Sequence, residues 1–219
     1  MIGRWRLAAS SLLLAITLAW TVAGRPTGDF GRTPPAAEHL RTVVLTRPSQ
    51  SSVPSIAVHR AGLSDVVTAK TGPVPVTVQI SAIGLQAPVV PVGVAVGTRQ
   101  MEVPQDVRTV GWYRFGPAPG QPGSAVLIGH VDSRSQGLGA FFGLRGLREG
   151  MTIRVGLTDG TALRFRVVAR RHYGKADLPG ALFARAGNPM LALVTCGGSF
   201  DTSTRTYSDN VVVYALPAS

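Results

Sequence analysis

The rhythm of apolar and polar positions changes twice along this chain. Leu7 to Gly24 is an almost unbroken apolar run. From about Arg25 to Gly72 there is no clean period, and Pro, Ser, Thr and Arg dominate stretches such as GRTPPAAEHLRT and TRPSQSSVPS. At Pro73 the texture becomes that of strands. Val74–Ile80, VPVTVQI, alternates with a period of two. LQAPVVPV follows, its prolines suited to an edge or a bulged strand. Further strands are predicted at Thr109–Tyr113, Ala125–Ile128, Thr152–Leu157, Leu163–Ala169, Met190–Val194 and Val211–Leu216, with turn signals between them. TDGT, Thr158–Thr161, reads as the Asp-Gly turn of a hairpin. Phe141–Arg148 and Leu178–Ala186 are the segments that suit short helices. Seven or eight short strands at regular spacing predict an all-β fold, a closed or nearly closed barrel.

These three textures divide the chain into residues 1–25, 26–72 and 73–219. Arg4 and Arg6 ahead of the apolar run make it an export signal. About 18 apolar residues are near the minimum that spans a bilayer as a helix, and the positive flank places the rest of the chain outside the cytoplasm. A signal anchor is the favoured reading, and a signal peptide cleaved after the small residues Thr21–Ala23 is the alternative. Residues 26–72 read as a flexible stalk.

Composition narrows the function. Lys and Arg number 22 against 11 acidic residues, a formal charge of +11, and all but Lys70 and Lys175 are arginine. The arginines are scattered without aromatic interleaving, so the pattern argues against a nucleic-acid binder. A lone cysteine rules out an internal disulfide framework and a multi-cysteine metal site. No phosphate-cradling loop, zinc spacing or calcium loop is present, so no cofactor is expected. Asp132 and Asp159 read as turn carboxylates.

Two positions stand out chemically. His130 closes the run AVLIGH and opens into a Gly- and Ser-rich loop, a location suited to a general acid or base, although a histidine bonded to a loop carbonyl would look the same. Cys196 closes LALVTC and precedes two glycines, whose small size allows close backbone approach and whose amides could bind an oxyanion. A Cys/His pair at neighbouring strand ends is a thiol nucleophile with its proton-transfer partner, suited to acyl transfer through a thioester. Arg134 and Arg205 are the cations nearest in sequence, each also readable as a solvated loop residue. His172, beside two arginines in RRHY, and the stalk histidines His39 and His59 carry a weaker signal.

The ordered blocks SAIGLQAPVVPVG, VGWYRFGPAPGQPGSAVLIGHVDS, FFGLRGLREGMTIRV, LVTCGGSFD and YSDNVVVYA resemble the class F sortases of high-GC Gram-positive bacteria. The resemblance runs from about Val74 to Ala215. It implies an eight-stranded sortase-type β-barrel with short helices, tethered to the cell membrane by a single span with its catalytic domain outside. It implies a cysteine transpeptidase that cleaves LPxTG-like sorting signals of secreted proteins and passes the acyl group to an amine of a peptidoglycan precursor. By position, Cys196 matches the nucleophile and His130 the acid/base. Sortases generally carry an arginine at the start of the strand after the cysteine loop. Here that place falls near Asn210, with Asp209 and Ser208 before it, and Arg205 is the nearest arginine upstream, expected to serve the oxyanion, with Arg134, or Asn210 with backbone amides, as the alternative. The displaced arginine also motivates a second reading, a weak or inactive sortase-like barrel that binds sorting peptides or wall precursors. L,D-transpeptidases, the other exported Cys/His class, carry an S-H-G-C-type run that is missing here.

Overall fold

The computed structural model describes residues 28–35, 72–96, 100–204 and 206–219. The signal anchor expected over residues 1–25 lies outside these, as do residues 36–71 of the expected stalk.

Eight strands close into a barrel: β1 (Pro75–Ile80), β2 (Leu85–Val92), β3 (Val110–Tyr113), β4 (Ser124–Ile128), β7 (Thr152–Leu157), β8 (Ala162–Gly174), β9 (Met190–Asp201) and β10 (Thr206–Pro217). Two short strands, β5 (Asp132–Ser133) and β6 (Gly137–Leu138), form a separate hairpin after β4. Around the barrel the order is β1-β2-β3-β4-β9-β10-β8-β7, and β7 returns to β1. The pairs β2–β3 and β4–β9 are parallel and the rest antiparallel. This is the predicted all-β closed barrel. The expected helices are single 3-10 turns, Phe142–Gly146 and Gly180–Phe183. The β7–β8 hairpin turns through Gly160 at φ 83°, and Asp159 accepts from the Thr161 amide and hydroxyl, as expected of a turn carboxylate.

The prolines of β2 fall where the strand is paired on one side only. Leu85–Pro88 pairs with β1 and Val89–Val92 with β3, so each half of the strand has one ladder partner and Pro88 and Pro91 cost few bonds.

Successive residues of β9 and β10 serve two apolar layers. Leu191, Leu193, Val213 and Ala215 face the barrel interior with Phe141, Leu127 and Ile153. Ala192, Val194, Val212 and Tyr214 pack on the outer side with Leu182 and Val126. Burial on both faces explains why LALV and VVVYA read as unbroken apolar runs rather than alternating ones.

Gly28–Gly31, within the stretch read as stalk, lie along β8. The pairing of β7 with β8 fades near Val167, leaving an open edge, and Phe30 fills it with two backbone bonds to Arg170 (3.1 and 3.3 Å). Gly31 fits because it has φ 73° and sits where a Cβ would collide with the Val168 carbonyl. Beneath this strap the fully buried Arg170 donates to the carbonyls of Arg145, Leu147 and Gly28, with the Phe30 ring 5.0 Å from its guanidinium. Arg171 donates to the Phe30 carbonyl at 2.6 Å, and His172 meets Asp29 at 2.7 Å. The RRH run is therefore an anchor for the strap, because each of its side chains finds a carbonyl or carboxylate there.

Candidate active site

The site forms where β9 parts from β4. Their last Cα pair is Ile128 with Val194. Two more bonds extend the joint: the Gly129 amide donates to the Val194 carbonyl at 3.1 Å, and the buried Thr195 hydroxyl donates to the Gly129 carbonyl at 2.8 Å. The next residue on each strand is His130 and Cys196. Thr195 thus fixes the two chemical positions side by side through main-chain contacts.

Cys196 does not end its strand, contrary to the expectation from sequence. β9 continues to Asp201, paired with β10. Its burial switches at the cysteine, from six buried residues to two half-buried and four exposed. The apolar pattern stops where the second neighbour stops, but pairing to β10 needs only backbone and carries on. The following glycines accommodate β10 more than a substrate: Gly198 has φ 78°, and a Cβ there would collide with Ser208 Oγ.

A cleft of about 990 Å³ opens over this joint, lined by His130, Arg134, Lys175, Cys196 and Tyr207. Leu138 and Phe200, both exposed, give it apolar walls. His130 Nε2 lies 2.8 Å from the Pro104 carbonyl, which can only accept, so Nε2 carries a proton and Nδ1 is the basic nitrogen of the neutral ring. His130 thus makes the carbonyl bond of the plainer reading weighed from sequence, and Nδ1 is the nitrogen that an acid/base role would use. Tyr207 donates to Asp132 Oδ2 at 2.5 Å and ties the start of β10 to the β5–β6 hairpin. That bond, with burial and the carboxylate charge, pushes the Tyr207 pKa up to about 12, so the phenol stays neutral at physiological pH.

The thiol's recorded partner is a residue that sequence reasoning passed over. Lys175 Nζ lies 3.0 Å from Cys196 Sγ and 3.1 Å from Asn210 Oδ1. Asn210 is buried and stands directly across the β9–β10 ladder from Cys196. Arg134 lines the cleft in the β5–β6 turn; Arg205 lies outside the described residues. One signal could have singled out Lys175: it is the sole lysine of residues 73–219, in a region otherwise supplied with arginine.

A second cavity of about 300 Å³ reaches Cys196 from another side, past Phe142, Arg145, His172 and Gly197.

A sortase-domain family model matches residues 78–218, well over half of the chain. The chain belongs to the sortase family. Its barrel is similar to those of sortase A from Corynebacterium diphtheriae (19% identity, TM-score 0.51, covering 67% of this chain and 61% of that one) and sortase C-1 from Actinomyces oris (19%, 0.51, 65% and 73%). It is likewise similar to the group B Streptococcus pilus island 1 sortase C2 (19%, 0.50, 65% and 73%). At such identities the likeness speaks for the sortase fold, and the chain spans less than two thirds of the C. diphtheriae chain. Among curated proteins, none matches. Sortases are generally cysteine transpeptidases, and the chain's one cysteine lines the cleft over the β4–β9 joint.

Proposed function

We propose that this sortase is an active, extracytoplasmic transpeptidase of the class F type, held at the cell membrane by its N-terminal segment. Its substrates are secreted proteins bearing an LPxTG-like sorting signal, and its acceptor is an amine of a peptidoglycan precursor. The observation that carries the reading is the placement of Cys196 and His130 on one cleft, at the parting of β4 and β9.

In this mechanism the Cys196 sulfur, as thiolate, attacks the carbonyl carbon of the signal's threonine. A C–S bond forms and the carbonyl π pair moves onto oxygen. Collapse of the tetrahedral intermediate breaks the C–N bond, and His130 in its protonated form gives a proton to the departing amine. The acceptor amine then attacks the thioester and surrenders a proton to His130. A new amide forms and the thiolate returns. The apolar walls, Leu138 and Phe200, suit the aliphatic part of a sorting peptide.

The test is incubation with a panel of LPxTG-like peptides followed by intact-mass analysis. A mass increase equal to the acyl fragment, present in the wild type and missing in Cys196→Ala, supports the reading. A folded wild type that binds these peptides but yields neither adduct nor cleavage would instead support the binding-only barrel.

A further inference from the structure

The resemblance anticipates an arginine facing the nucleophile from the start of β10, a place that falls near Asn210, and Asn210 is the ladder partner of Cys196. Directly opposed residues of an antiparallel ladder project to the same face. Cys196, Asn210 and, on β8, Tyr173 are opposed in turn, so they share one face. Lys175 lies two residues beyond Tyr173, in the turn that follows β8, and its side chain comes back over that face. Its ammonium meets the sulfur at 3.0 Å. Asn210 holds both ends of this lysine: its carbonyl oxygen accepts from Nζ at 3.1 Å, and its amide reaches the Lys175 carbonyl at 3.5 Å.

We propose that Lys175 is the catalytic cation of this site, taking over from the β10 arginine, with Asn210 as its positioning residue. The charge has moved one strand outward, from β10 to the end of β8, and the vacated position has become the bracket that aims it. The two side chains act differently. An arginine presents a planar fork suited to two fixed acceptors, whereas an ammonium is a compact charge on a flexible stem. Lys175 can therefore stay against the sulfur while it is anionic and turn to the carbonyl oxygen as the negative charge passes to it. Stabilising charge that develops during reaction is the larger of the two effects.

The oxyanion role rests on the transpeptidase reading; the contact with the sulfur does not, and two measurements separate them. The first uses no peptide: the rate of Cys196 alkylation by iodoacetamide near neutral pH. Lys175→Met is expected to slow it several-fold, and Asn210→Ala less so. The double variant should be no slower than Lys175→Met alone, because Asn210 acts through the lysine. Alkylation in Lys175→Met at the wild-type rate would overturn the proposal, whether or not any peptide is ever turned over.

The second uses a peptide that acylates the wild type. Lys175→Ala should lower kcat/KM for acyl-enzyme formation by about 100-fold or more, the usual cost of an oxyanion donor. Adding Asn210→Arg to Lys175→Ala should restore part of it by returning the charge to β10. Near-normal acylation in Lys175→Ala, with the loss falling on Arg205→Ala or Arg134→Ala, would assign the cation elsewhere. Lys175 is exposed, so its variants should keep the wild-type thermal melt.

Discussion

The two halves of β9 make different contributions to the molecule. Met190–Thr195 is buried and bonded to β4 on one side and β10 on the other. Cys196–Asp201 becomes progressively exposed and, among the described residues, pairs with β10 alone. The first half holds the barrel together; the second half is a cleft wall with Cys196 at its root. A reactive side chain needs rigid backbone beneath it and open space above it, and the parting of two strands supplies both.

The sharpest way to break this division is at its boundary. Cys196→Ala and His130→Ala should each remove turnover, by ~10²–10⁴-fold for the histidine if it acts as general acid and base. Both should leave the melting curve in place, since neither side chain is in the packed interior. A melt that fell with activity would mean the boundary belongs to the core. Next in size is a contrast within the strand. Leu193→Ala should cost about 2–5 kcal/mol in urea unfolding, whereas Phe200→Ala should change stability by under about 0.5 kcal/mol and raise KM for a sorting peptide. Equal effects on stability would erase the distinction between the halves.

Thr195→Val sits between these extremes. It leaves the Gly129 carbonyl without the hydroxyl it accepts, a loss of about 1–3 kcal/mol. Activity measured well below the melting temperature should fall further than that stability loss explains, because the joint also spaces His130 from Cys196.

The smallest effects are in pH. Asp201 accepts from the Ser203 hydroxyl and amide, and these bonds lower its pKa to about 2. A carboxylate with a depressed folded pKa favours the folded turn above its ordinary pKa of 3.8 and ceases to do so as pH falls toward about 2. Amide exchange in residues 201–204 should rise across that window while residues 190–195 stay protected. Tyr207 has the opposite sign. Its raised pKa favours the closed cleft wall below pH 10 and loses that contribution as pH climbs from 10 to about 12. Absorbance titration of the wild type against Tyr207→Phe reads the late-titrating phenol directly.

Much of this was legible in the residues alone. Strand positions followed from apolar patterning because the barrel buries one or both faces of each strand, and β7 was predicted to its ends. The lengths of β8, β9 and β10 were underestimated because the added residues are mostly polar or glycine, so hydrophobicity carried no trace of the pairing. His130 and Cys196 were legible for a local reason: each ends an apolar run and enters a glycine-bearing segment. The strap was not, because nothing in GDFGRTPP reveals an open edge on β8 many residues later.

Lys175 marks the limit. It is 21 residues from Cys196, in the turn after a strand that reaches β9 by way of β10, and no spacing rule connects them. The amino-acid sequence determined the strands, the barrel class and the two residues whose chemistry depends on local context. Only the tertiary structure decided which charge faces the sulfur, because that depends on the register of three strands and on which side chains it turns to one face.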